Sequence, residues 1–363
     1  MIETEKRAES GNDKRPRVGI LTFLHNDNYG STLQAYALQK TVESLGYACE
    51  HLDYQPDVQE KVRNLLHSRN SPSLLLEGLR KKGVRAAEET AREKHRAIRA
   101  FDQRYLRLSS PCSSAGALRE TARDLDILIC GSDQIWNPVW MNPAYFLSFA
   151  DKGSRKIAYA PSLGVRSLPS LRKQRMIREL TADFKAISVR EEEGASLMEA
   201  ITGRRPDVMP DPVCLISREE WENLAGSREK GEAYLLCYLI GENPDYPEQL
   251  RKAVRETGLR PLVMPVTGQA YALEAEHFGS TGPEAFLQAI RGAKMLLTDS
   301  FHGLVFATIF GVPVQLLRRY SDLDPENKNS RVDHFLRLMK TTGLDALRNQ
   351  GREWLRIKLR EQG

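Results

Sequence analysis

The 363 residues contain no CxxC pair, no HExxH and no two histidines at metal-ligand spacing. The usual signatures of structural zinc and of zinc proteases are therefore missing, and no required metal is expected. There is no Walker loop, no GxGxxG fingerprint and no GxSxG elbow, which argues against P-loop, dinucleotide-binding and serine-hydrolase chemistry. No apolar run approaches the roughly 18–20 residues of a membrane span. Cysteine is scarce and scattered, at Cys49, Cys112, Cys130, Cys214 and Cys237. Cys130 and Cys237 lie within apolar strand-like runs, where cysteine behaves as a small hydrophobe, so a reducing cytoplasm without disulfides is the expectation. Met1 to Arg17 is polar with mixed charge, unlike a signal or transit peptide, and residues 1–16 read as a disordered leader.

What is present is an ordinary globular composition, long enough for about two domains. The net charge of +5 is unevenly placed: residues 61–107 hold 13 Lys/Arg against 5 Asp/Glu. Such a segment suits an anionic membrane surface or an acidic polymer, or is simply a solvated pair of helices. No aromatic interleaving or nucleic-acid fold signature accompanies it, so no nucleic-acid partner is expected.

Strand and helix patterns alternate almost throughout. Strands are expected at 17–24, 48–54, 126–130, 156–160, 186–189 and 207–209, then at 234–240, 262–266, 295–298 and 313–317. A helix is expected from Thr32 to Leu45, a helical insertion at 57–108 broken near Ser71-Pro72-Ser73, and a closing helix over 352–360. This order predicts an α/β protein with parallel sheets, and a boundary between two units near 212–232.

Several strand ends carry polar residues. Met295-Leu296-Leu297 runs into Thr298-Asp299-Ser300-Phe301-His302-Gly303, followed by a second apolar run. That places a histidine at a helix start, where backbone N–H groups can meet an anion and imidazole can move a proton near neutral pH. Its bland alternative is a local hydrogen bond. Asn28-Tyr29-Gly30-Ser31 reads as a ligand loop or as a capped turn with Ser31 as N-cap. In Gly131-Ser132-Asp133-Gln134-Ile135-Trp136, Trp136 offers a stacking face for a sugar, or else is core, with Asp133 a helix cap. Arg190 ends a strand as a fork for carboxylate or phosphate, with a salt bridge to Glu191, Glu192 or Glu193 as competitor. Asp211 sits between prolines as a cap or an orienting carboxylate. Lys328, Ser330 and Arg331 precede an amphipathic helix, against the dipole preference; an anion there would explain them, as would a solvated loop.

Together these segments resemble the polysaccharide pyruvyl transferase family. The likeness rests on NYGSTLQAYALQ (28–39), DILICGSDQIWNP (126–138), KIAYAPSLG (156–164), ISVREEEG (187–194), DVMPDPV (207–213) and LLTDSFHGLVFATIFGVPV (296–314). It implies two Rossmann-like domains facing a cleft, as in glycosyltransferase-B enzymes. Residues 17–215 would bind the acceptor, 230–345 the donor, and 346–363 would form a C-terminal helix. The implied reaction moves the enolpyruvyl group of phosphoenolpyruvate, a donor substrate and not a cofactor, onto a saccharide, free or lipid-linked, as a pyruvate ketal. His302 would be the proton donor; Arg190 with Lys328 or Arg331 would hold the donor's charges. Asp133, Asp211 and Asp299 are candidates for the base, and Asn28, Tyr29, Gly30, Ser132, Trp136, Ser300 and Gly303 would complete the site. Many members carry arginine where this chain has Ser300. The resemblance implies a cytoplasmic enzyme, and the basic 61–107 segment would bring it to the inner face of a membrane. The alternatives are a nucleotide-sugar glycosyltransferase of the same fold and a non-catalytic glycan- or membrane-binding protein.

Overall fold

A computed structural model describes residues 16–68, 85–227, 231–279, 281–319 and 330–361. The expected leader, the break at Ser71–Ser73 and Lys328 lie outside the described residues.

The short apolar runs form two all-parallel sheets. The first has strands β1 (Arg17–Leu21), β2 (Ala48–His51), β3 (Ile127–Gly131), β4 (Arg155–Tyr159), β5 (Ala186–Val189) and β6 (Asp207–Val208), in the order β2-β1-β3-β4-β5-β6. The second has β7 (Tyr234–Tyr238), β8 (Arg260–Val263), β9 (Glu276–His277), β10 (Met295–Thr298) and β11 (Val314–Leu316), in the order β11-β10-β7-β8-β9. Sequence reading missed β9, whose two residues are both exposed and carry no apolar run. Four strands, β1, β2, β7 and β8, stop two or three residues earlier than expected, since the apolar pattern continues into turns that leave the ladder.

The helices are α1 (Tyr29–Ser44), α2 (Val58–Ser68), α3 (Arg85–Tyr105), α4 (Ala115–Ala122), α5 (Leu171–Thr181), α6 (Glu192–Thr202) and α7 (Arg218–Ala225). After β7 come α8 (Tyr246–Thr257), α9 (Gly268–Tyr271), α10 (Pro283–Gly292), α11 (Phe301–Phe310), α12 (Ser330–Thr341) and α13 (Leu344–Arg360). Parallel strands need such crossovers, which cover both sheet faces. One apolar cluster joins Tyr29, Leu33 and Tyr36 of α1 to Phe286 of α10 and Phe306 of α11. The first lobe therefore meets the second through a hydrophobic seam. The closing helix α13 starts earlier than expected and returns to the first lobe. Its Trp354, Leu355 and Leu359 pack with Val18, Ile20 and Ile129, and Trp354 Nε1 donates to Asp207 at 2.7 Å.

Helix α1 is buried on almost every side, so its polar side chains must find partners. Gln34 donates to Thr22 Oγ1 at 2.8 Å and accepts from the Ser132 N–H at 3.2 Å. That pair ties the end of β1 to the end of β3 and fixes the loop carrying Asp133.

Candidate active site

The carboxyl ends of both sheets face one another across a cavity of about 200 Å³. One wall holds Asn26, Asn28, Ser31, Asp133 and Gln134; the other holds Ser300, His302, Arg319 and Arg331. This is where open parallel sheets present their ligand sites.

Helix α1 starts at Tyr29, three residues earlier than expected, and Asn28 rather than Ser31 is its N-cap, accepting from the Gly30 N–H at 2.9 Å. Ser31 thus falls in the first turn and donates instead to Asp133 Oδ2 at 2.5 Å. Asp133 itself holds a left-handed backbone, φ 63°, uncommon outside glycine and typical of strained functional turns. Its Oδ1 accepts from the Gln134 N–H at 2.8 Å and lies 3.7 Å from the Arg190 guanidinium.

Arg190 is buried among carboxylates. Its Nη1 donates to Asp211 Oδ2 at 2.5 Å, Glu191 is 3.9 Å away, and the guanidinium lies 4.8 Å from the centre of the Phe301 ring. Of the two expectations the structure shows the salt bridge, made chiefly to Asp211 rather than to Glu191, and Arg190 is not among the residues lining the cavity. Burial alone would weaken the cation, but Asp211, Asp133 and Glu191 raise its pKa above the ordinary value. Asp211 is the cap of one expectation, and its second oxygen faces the cleft's charged groups. Oδ1 caps the short turn Pro212–Cys214 by accepting from the Val213 N–H at 3.1 Å. Oδ2 faces Arg190 and lies 3.5 Å from His302 Nε2. Burial pushes its pKa up, yet His302 and Arg190 outweigh it and hold the carboxylate ionised well below the usual range. Asp133 is likewise held low, mainly by Arg190 and His302 against burial.

His302 is the second residue of α11. Ser300 is the N-cap of that helix, its hydroxyl accepting from the Gly303 N–H at 3.2 Å. The imidazole is buried and rests against the α1 backbone at Gly30, where any β-carbon would overlap the ring. Arg331 lies 5.8 Å from the Phe301 ring centre, and Gln134 accepts from it at 2.5 Å once its amide oxygen is turned that way. Burial and the neighbouring Arg190 lower Arg331 to about 10, still cationic at neutral pH.

Several expected site residues are occupied elsewhere. Trp136 presents no stacking face: it is fully buried, stacked on Phe146 at 4.9 Å, with Nε1 donating to the Tyr145 carbonyl. Tyr29 is also core, stacked on Phe286 at 5.1 Å. Ser132 Oγ donates to the Ala160 carbonyl at 2.8 Å and has no exposure. Asp299 lines the cavity, and its carboxylate accepts from the N–H groups of Ile240 and Gly241, from Tyr246 and from Arg319. Gly303 is demanded by packing, since a β-carbon would lie 2.9 Å from Thr298 Oγ1. Sequence reading missed Arg319, three residues beyond β11, while Glu191, expected as a salt-bridge partner, also accepts from Ser162 at 2.7 Å through Oε1. Part of the basic 61–107 charge also turns inward: Arg99 donates to His25, and Lys94 sits over Tyr29.

Two Rossmann-like lobes flanking a polar cleft define the glycosyltransferase-B-like class. A UDP-N-acetylglucosamine 2-epimerase from Rickettsia bellii shares it at TM-score 0.50 and 7% identity, covering 95% of this chain and 96% of that one. The UDP-GlcNAc 2-epimerase of Methanocaldococcus jannaschii, solved with UDP-GlcNAc and UDP, gives 0.49 and 12%, covering 96% and 100%. An alpha-glucosyltransferase solved with UDP-glucose and DNA gives 0.48 and 10%, covering 95% and 94%. At such identities the likeness is one of fold alone. No curated protein matches the sequence. The model of the polysaccharide pyruvyl transferase family matches residues 28–318. The chain belongs to that family and is a transferase-type enzyme.

Proposed function

We propose that the protein transfers the enolpyruvyl group of phosphoenolpyruvate to a saccharide and closes it as a cyclic ketal. The observation that carries this reading is His302, 3.5 Å from Asp211, in a cavity also lined by the guanidinium groups of Arg331 and Arg319. Phosphoenolpyruvate needs a proton at C3 and cations for its carboxylate and phosphate. His302 supplies the proton, and Asp211 orients the imidazole and stabilises its protonated form. C2 then gains oxocarbenium character. One sugar hydroxyl attacks C2 and passes its proton to a base, the departing phosphate leaves oxocarbenium character at C2 again, and a second hydroxyl adds there to close the ketal, its proton returning to His302 while phosphate carries off the other. Arg331 and Arg319 meet the donor's charges, while Arg190 fixes Asp211 and Asp133. Asp133 lines the cavity and is the base for the attacking hydroxyl.

A nucleotide-sugar donor is the second reading, because proteins of this architecture include a UDP-N-acetylglucosamine 2-epimerase. A thermal-shift panel separates the two. A ligand at about 100 times its dissociation constant adds roughly 2.7 kcal/mol. Phosphoenolpyruvate should raise the melting point; a shift by nucleoside diphosphates alone would replace the pyruvyl reading.

Contact with an anionic membrane surface belongs to this proposal. On α2, Val58 and Val62 are exposed by 75% and 53%, one helical turn apart and flanking Lys61. Liposome flotation independent of anionic lipid would remove it.

A further inference from the structure

Helices α6 and α12 both begin in the site. Helix α6 follows Arg190 and Glu191, and Arg331 lies in the first turn of α12. Farther along, the two helices and the 166–168 segment bound an open groove of about 710 Å³. On α12, Arg331, His334, Leu338 and Thr341 recur at helical spacing on one face, so the row spans roughly 15 Å from the cavity outward. Leu168, Leu197 and Leu338 form apolar patches in the groove. Arg337 reaches across to Glu193 at 3.6 Å, and Arg166 reaches Asp333 at 3.7 Å. Both signs alternate along the rim, so the groove offers no field to a polyanion.

Two buried polar atoms there have no hydrogen-bond partner, His334 Nε2 and Glu193 Oε2. His334 is only 8% exposed and lines the groove. An unsatisfied donor or acceptor at that depth is costly unless something bonds it. A neutral, hydroxyl-rich ligand answers all these features: C–H faces for the leucines, hydroxyls for the imidazole, the carboxylate and the guanidinium groups.

We propose that this groove binds the sugar units of an oligosaccharide acceptor beyond the one that reacts. The inference rests on the reading of the site as one that modifies a saccharide. It makes the enzyme selective for chains over single sugars.

Gluco-, manno- and galacto-oligosaccharides of one to six units, titrated calorimetrically into the full chain, test it. In at least one series affinity should rise about tenfold or more, some 1.4 kcal/mol, between monomer and tetramer. The ¹⁵N resonance of His334 Nε2 should shift with the longer members. Ala200→Trp and Thr341→Trp, at exposed positions on opposite walls, should each erase that gain without lowering the melting point. Length-independent affinity in every series, or a gain that survives both substitutions, overturns the groove. Phosphoenolpyruvate titrated into the wild type separates the two ideas. Donor binding without a length effect removes only the groove; a length effect without donor binding removes only the pyruvyl reading.

Discussion

His302 Nε2, carried by the second lobe, lies 3.5 Å from Oδ2 of Asp211 at the edge of the first lobe, and the same oxygen accepts from Arg190. One carboxylate therefore couples the proposed proton donor to a buried cation across the cleft. His302→Gln should lower kcat by about 10²–10⁴ with little change in fold. Asp211→Asn should lower both kcat and stability, because breaking a buried pair costs about 3–5 kcal/mol. Since the Asp211 pKa is depressed in the fold, its stabilising term is present above the unfolded carboxylate range and fades only as pH falls below it. Urea unfolding of both variants beside steady-state kinetics checks the split.

Gly30 is the place where α1 makes room for the histidine. Alanine usually stabilises a helix by about 1 kcal/mol relative to glycine, yet here its methyl group would overlap the imidazole. Gly30→Ala should therefore reduce activity by a factor close to that of His302→Gln. The double variant should lose little more, which steady-state rates of the four proteins would reveal.

Which of these relations were legible beforehand follows from their physics. The strands and the His302 turn could be read because each is a local apolar run meeting polar residues. Arg190 could be read as a strand-end cation, but not as the hub of three carboxylates that lie up to 57 positions away in the chain. Asp299 stands in the expected turn, but the N–H groups of Ile240 and Gly241 that engage it come from just beyond β7, far away in the chain. Trp136 was ambiguous for the same reason: polar neighbours in sequence say nothing of Phe146 stacked on its face. Lobe-to-lobe contacts such as Gly30 with His302 leave no periodic trace at all.

Trp136, as core, should matter for folding and not for sugar recognition. Trp136→Ala should cost about 3–5 kcal/mol, read by denaturant titration, whereas the KM for saccharide should stay near the wild-type value. A large rise in KM with unchanged stability would restore the stacking role.

Asp102 of α3 should set part of the pH dependence of stability. Burial is the main cause that raises its pKa to about 7, with Asp53 adding to it against His25 and Arg99. The folded value lies above the unfolded one, so the term is fully present below about pH 4 and lost as pH rises through 7. Asp102→Asn should leave stability near pH 4 unchanged and raise it at pH 8 by on the order of 2–4 kcal/mol. Unfolding curves that stay parallel across that range would place the titration elsewhere.

The most direct test of the central claim is incubation with phosphoenolpyruvate and a panel of saccharides, following released phosphate and the mass of the acceptor. The proposal requires phosphate and a pyruvate ketal in equal amounts from the wild type, and neither from His302→Gln. Consumption of a nucleotide sugar, with phosphoenolpyruvate left intact beside every acceptor, would contradict it.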